Sequence, residues 1–181
     1  YERYLEGKKG GCPFDGKAVV ATVLTLGPLL TPPHEMFDCP ESALAILPCS
    51  ADGLDAKVAT SVESGVFSLG SRTLFILGSP TPELSLALDG TRDMLSGADV
   101  PRSASERGVI SRMQAAISRV LSVAAPASSK EELTNLALEE WVRESHDDLL
   151  RISETTAQLS ERSAICIVRG AIHTPGVLSL V

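Results

Sequence analysis

The chain has 181 residues, 44% of them hydrophobic and only 4% aromatic, which excludes extensive disorder and requires a core built from Val, Leu, Ile and Ala. Such a composition suits buried parallel strands covered by helices better than an antiparallel sandwich. A formal charge of −7, with no basic run beyond Lys8-Lys9, excludes a nucleic-acid binder that tracks phosphates, and no apolar stretch reaches the roughly 18 residues of a membrane span.

Residues 1–16 are polar, contain Gly10-Gly11 and are expected to form an N-terminal arm ahead of one domain over 17–181. The chain does not begin with Met and shows no recognisable leader, so its start does not reveal a compartment. Ala18 to Leu26 is dense in β-branched residues and is stopped by Gly27-Pro28, which predicts a buried strand. Pro32-Pro33-His34-Glu35-Met36-Phe37 predicts a short helical turn, because proline fits a helix start. Ala43 to Leu47 reads as a second buried strand, ended by Pro48. Val58, Val62, Val66 and Leu69 recur at steps of three and four and predict an amphipathic helix over 56–69. Thr73 to Leu77 reads as a third strand, running into Ser79-Pro80-Thr81-Pro82 and then a helix over about 83–88.

Residues 97–105 are rich in Ser, Gly and Pro and read as a loop. Ile110, Met113, Ile117, Val120 and Leu121 mark one face of a helix over 107–123. Ser129-Lys130-Glu131-Glu132 has capping-box spacing and opens a long helical region to about residue 159, striped by Leu138, Trp141, Val142, Leu149 and Ile152. Ala164 to Val168 reads as a fourth strand, and His173-Thr174-Pro175-Gly176 as a turn into a last strand over 177–181. The alternation predicts an α/β fold: a mostly parallel central sheet of about four strands plus a C-terminal edge strand, with helices on both faces.

Cys12, Cys39, Cys49 and Cys166 form no CxxC or CxxH pair and read as reduced core thiols. His34, Cys39 and Cys49 offer a metal site only at spacings of five and ten, unlike a compact motif, so a surface His and two thiols are the expected reading. Ser79 with His34 or His173 suggests a hydrolase, but no G-x-S-x-G elbow surrounds it and Pro80 removes a backbone donor, so a helix cap is expected instead. Gly7 to Gly16 contains no phosphate-binding fingerprint. His146 with Asp147-Asp148 reads as a solvated helix face, and Ser79 to Pro82 as a capped loop rather than a phosphorylation target.

In order and spacing, four segments resemble the β-class carbonic anhydrases. Pro32 to Phe37 with Ala43 to Leu47 is similar to that family's Pro-Pro-Glu-x-x-Phe turn and second strand. Thr60 to Gly78 is similar to its Ala-Ser-Leu-Glu-Tyr-Ala-Val helix, Leu-Gly-Val turn and Val-Leu-Gly strand. Glu139 to Ile152 resembles the helix before the final strands, and Ile165 to His173 with Gly176-Val177 the closing Val-x-Gly-Ala-x-Tyr-Asp hairpin. The resemblance implies zinc-dependent chemistry resting on a Cys-x-Asp-x-Arg motif after the first strand and a His-x-x-Cys motif after the third. By spacing, the first motif falls on Leu26 to Leu30: Leu26 replaces the Cys, and Pro28 and Leu30 replace the Asp–Arg pair. The second falls on Ser79 to Pro82, with Ser79 for His and Pro82 for Cys. Leu and Pro carry no side-chain lone pair and Ser is a poor zinc ligand at neutral pH, so neither metal, cofactor nor catalytic residue is expected. Leu26, Leu29 and Leu30 are expected to fill the space around the former metal.

The resemblance therefore implies a pseudoenzyme that serves as a structural or interaction subunit, with other protein subunits as partners in a homodimer or hetero-assembly. Family members associate through the N-terminal helix and the sheet edge, although the arm here is short. They occur in cytoplasm, chloroplasts and mitochondria, which makes an organellar compartment the expectation. An enzyme of altered chemistry, a relocated metal site and a sensor of bicarbonate or another small anion are the alternatives.

Overall fold

The structure, a computed structural model, describes residues 19–49, 54–124, 128–173 and 177–181. The expected arm over 1–16, Cys12, residue 18 and the turn at 174–176 lie outside the described residues.

Five strands form one sheet in the order β2-β1-β3-β4-β5: β1 (Ala21–Leu26), β2 (Leu44–Cys49), β3 (Thr73–Gly78), β4 (Cys166–His173) and β5 (Val177–Leu180). The first four are parallel, and β5 pairs antiparallel with β4. Every residue of β1 is buried, as a central strand of aliphatic and β-branched side chains requires. β2 was expected to be buried and to stop at Pro48. It is instead a half-buried edge strand that runs through Pro48 to Cys49. Proline is tolerated there because an edge strand can present a position without an N–H to solvent.

Partners in a parallel ladder share a face, so Thr22, Leu24 and Leu26 lie beside Leu74, Ile76 and Gly78. On that face sit α2 (Ala56–Phe67) and α5 (Lys130–Ile152): a Cβ at Gly65 of α2 would lie 2.6 Å from Thr22 Oγ1, and one at Gly78 would lie 2.6 Å from Val142 Cγ2 of α5. α3 (Pro82–Ser96) and α4 (Ala104–Val123) pack on each other and on α5, and α6 (Glu154–Glu161) follows α5 after a break at Ser153. The opposite face meets the short turn α1 (Pro33–Met36), where the Phe37 and Phe75 rings lie 4.5 Å apart. Helices thus lie on both faces, with the long ones gathered on one.

Several boundaries differ from expectation. α2 stops at Phe67, leaving Leu69 exposed. α3 extends to Ser96, well past residue 88, and ends at Gly97 in the left-handed conformation; Gly90 within it is a close-packing position, where a Cβ would lie 2.4 Å from Ile110 Cδ1. α4 begins at Ala104, fixed by a capping box in which Ser103 and Glu106 bond each other's backbone N–H. The expected box at Ser129–Glu132 opens α5 in the same way. The helical region then divides at Ser153, whose side chain caps α6 through Thr156 N–H at 3.0 Å. Of the described thiols Cys49 is buried, Cys39 half-buried and Cys166 exposed, so the core-thiol reading fails at Cys166, which lies at the outer start of β4.

Candidate functional site

The sheet order places β1 between β2 and β3, so the chain leaves β1 toward one side and enters β3 on the other. In open α/β sheets the crevice outside the carboxyl ends at such a reversal is where ligands bind. Here it lies where residues 27–32 and 79–81 leave β1 and β3.

The two loops are held against each other by short-range contacts. Ser79 N–H donates to Leu26 C=O at 3.3 Å, and Gly27 N–H donates to Cys49 C=O at 3.3 Å. Ser79 Oγ donates to Pro28 C=O at 2.7 Å. Gly27 has φ +89°, and a Cβ there would lie 2.4 Å from Thr81 Cγ2. Glycine is needed at that position both for the positive φ and for the close approach. Thr81 caps α3 by accepting from Leu84 N–H at 3.1 Å, and Pro82 takes the first helical position. Ser79 was expected to cap the helix; Thr81 does so, and Ser79 ties the two loops together instead. Ser79 and Thr81 are both buried, which keeps their hydroxyls from a kinase.

Beside this junction lies an open groove of about 700 Å³, lined by Leu29, Pro33, Ile46, Cys49, Glu83 and Trp141 among others. Its walls are largely apolar, and its charged side chain is the carboxylate of Glu83.

No family sequence model matches the chain, and no curated protein does. Solved structures do. The β-carbonic anhydrase CafA of the fungal pathogen Aspergillus fumigatus aligns at 12% identity over 91% of this chain and 76% of its own, with a TM-score of 0.69. One of two tetrameric β-carbonic anhydrases from the ascomycete Sordaria macrospora aligns at 8% identity over 92% and 82%, with a TM-score of 0.62. The Coccomyxa β-carbonic anhydrase in complex with acetazolamide aligns at 12% identity over 91% and 72%, with a TM-score of 0.61. The fold is that of the β-carbonic anhydrases. At these identities the likeness speaks for architecture alone.

The positions that the sequence resemblance assigned to zinc ligands lie at the carboxyl ends of β1 and β3. Leu26 is 1% exposed and belongs to the hydrophobic core. Ser79 Oγ is engaged with Pro28 C=O, and Pro82 starts α3. This donor set does not fit a zinc ion: two of its members have no lone pair and the third is a hydroxyl already committed to the backbone. Among the described residues no three His, Cys, Asp or Glu side chains are grouped to hold a metal. His34, Cys39 and Cys49 are accordingly not brought together. Cys39 N–H bonds His34 C=O at 3.0 Å beside α1, while Cys49 ends β2 and lines the groove. The three leucines expected to share one space are not buried alike. Leu26 is core, Leu29 half-buried and Leu30 96% exposed.

Sequence reasoning missed one constellation. His173 Nε2 lies 2.6 Å from Ser179 Oγ and 3.2 Å from Glu139 Oε1, while its buried Nδ1 has no partner. The geometry is not that of a catalytic relay. In such a relay the acid holds one ring nitrogen and the serine the other, whereas here both meet Nε2. The group ties β4, β5 and α5 together. His146 Nδ1 meets its neighbour Asp147 at 2.9 Å; Asp147 is exposed, as a solvated face implied, but His146 is half-buried.

Proposed function

We propose that this chain keeps a carbonic-anhydrase-like fold without zinc hydration chemistry and serves as a structural or interaction subunit of a larger assembly. One observation carries the reading: the carboxyl ends of β1 and β3 present Leu26, Ser79 and Pro82, which are packed, bonded to the backbone or helix-starting, and none of which can polarise a water. The same residues stabilise the junction, which is what a fold retained for its shape requires. Assembly with other subunits draws support from the tetrameric Sordaria macrospora proteins of the same fold. A small-anion sensor finds no support, because Glu83 puts a carboxylate on the groove and Leu30, at the position of the motif arginine, points to solvent.

Elemental analysis and stopped-flow carbon dioxide hydration on the purified native protein test this reading. Zinc far below one ion per chain and hydration at the uncatalysed rate are expected. Stoichiometric zinc, or hydration above background that a chelator abolishes, would overturn it.

A further inference from the structure

The groove beside the strand-end junction combines apolar walls with one kind of charge. Leu29, Pro33, Ile46 and Pro48 line it, and Trp141 of α5 adds an indole that is 7% exposed. Among the described residues that line it there is no Lys, Arg or His. The Glu83 carboxylate is half-buried there and has no ion-pair partner among the described residues. An ionised carboxylate beside apolar walls loses part of its hydration, and a cation that brings its own apolar body restores the lost interaction.

An anion is refused at the same place. α3 starts here, and a helix start ordinarily offers free N–H groups and the positive end of its dipole. Pro82 has no N–H, however, and the Leu84 N–H is taken by the Thr81 hydroxyl at 3.1 Å. Glu83 itself sits in the first turn. The dipole is worth about half a positive charge, so a full carboxylate leaves the site net negative.

We propose that the groove binds a small primary alkylammonium. The ammonium donates to the Glu83 carboxylate, and the aliphatic stem lies against Leu29, Ile46 and the Trp141 indole. The groove holds about 700 Å³, within the roughly 300–1,000 Å³ of small-molecule sites. A free amine is favoured over a lysine presented by another protein, because the amides flanking such a lysine would meet apolar walls without partners. The net charge of −7 draws cations toward the chain and turns anions away. The inference goes beyond the non-catalytic reading and rests on it in one respect: a zinc ion at the ends of β1 and β3 would repel a second cation from the same groove.

Trp141 is the only tryptophan of the chain, so its fluorescence reports on this groove. Titrating the purified protein with hexylammonium, 1-hexanol, hexanoate and methylammonium separates the charge from the stem. Hexylammonium is expected to shift the emission saturably, with hexanol at least about tenfold weaker. Hexanoate and methylammonium, which lack the right charge or the stem, are expected to leave the emission unchanged. Glu83→Gln is expected to lower hexylammonium to the affinity of hexanol. Ile46→Lys, which puts an ammonium of the chain's own into the groove, is expected to abolish the response. No saturable shift, equal affinity for hexylammonium and either hexanol or hexanoate, or unchanged affinity in Glu83→Gln would overturn the inference. Should a variant lose its far-UV circular dichroism, the ligand series on the wild type decides. Binding of Nα-acetyl-lysine methylamide as tight as that of hexylammonium would move the site to a partner's lysine and overturn the free-amine assignment. Stoichiometric zinc would overturn the functional reading; a zinc-free protein that ignores hexylammonium would overturn this inference alone.

Discussion

Substituting Gly27 by Ala tests the contact that closes the strand-end junction. Two costs add. The residue has φ +89°, a conformation that costs a residue with a Cβ about 1 kcal/mol. The new methyl would also lie 2.4 Å from Thr81 Cγ2, well inside van der Waals contact. Overpacking of this kind costs about 1–3 kcal/mol after local relaxation. Gly70 is the internal control: its φ is +72°, but a Cβ there meets nothing within 4 Å, so Gly70→Ala carries the conformational cost alone. Urea unfolding of both variants is therefore expected to show a loss of about 1 kcal/mol for Gly70→Ala and about 2–4 kcal/mol for Gly27→Ala. Thr81→Ser removes the offending methyl while keeping the capping hydroxyl, so the double variant is expected to recover most of the difference. Equal losses at Gly27 and Gly70, or no rescue by Thr81→Ser, would refute the close approach of the two loops.

Thr91 is fully buried and its hydroxyl has no partner, so Thr91→Val is expected to stabilise the fold by about 1 kcal/mol in denaturant unfolding. Ser163 follows α6 with φ +55°, so Ser163→Gly is expected to raise stability by roughly 0.5 kcal/mol, read as a higher urea midpoint. On α5, burial raises the Glu144 pKa and outweighs the attraction of Arg119. A folded-state pKa above the unfolded value favours the protonated form, so this contribution is present at pH below the ordinary carboxylate range and is lost as pH rises through the raised pKa. The stability of wild type relative to Glu144→Gln is therefore expected to fall from acid to neutral pH, and a flat or rising difference would count against the assignment. Glu140 behaves oppositely. Burial opposes its charge, but hydrogen bonds from Arg119 and Arg143 prevail and hold its pKa below the ordinary value. Its contribution is present at neutral pH and lost as pH falls through that lowered pKa, so Glu140→Gln is expected to cost most at neutral pH.

What the sequence made legible was local. Val58, Val62 and Val66 placed the buried stripe of α2, and the density of β-branched residues in 18–26 located the central strand. Where local signals were ambiguous, boundaries slipped. The helix expected over about 83–88 runs on through Gly90, where Ile110 occupies the space a side chain would need. Ser103-x-x-Glu106 was a usable helix-start signal that the Ser-Gly-Pro composition of the preceding loop concealed. Which strand lies at the edge is a property of the whole sheet, and nothing within residues 44–49 except Pro48 announces it. Counting along the chain put Leu30 at the position of the resembled family's motif arginine, but it could not show that this side chain is 96% exposed. Glu139, His173 and Ser179 meet through the packing of α5 on β4, and no spacing in the sequence encodes that approach.

A metal ion bound between two loops does two jobs, chemical and mechanical, and on the reading proposed above these strand ends keep the second without the first. A zinc held from the carboxyl ends of β1 and β3 would fix the loops relative to each other through its own bonds. Here the same fixing comes from Ser79 Oγ on Pro28 C=O, from Ser79 N–H on Leu26 C=O, and from Gly27 closing against Thr81. Leu26 adds the burial of a full leucine side chain, worth about 1.5–3 kcal/mol, where a thiolate would have needed the metal to compensate its charge. Replacing Leu26 with Cys alone therefore removes core packing and, on the proposed reading, adds a single ligand to a junction that is already closed. On the proposed reading, these contacts hold the junction in the place of a metal.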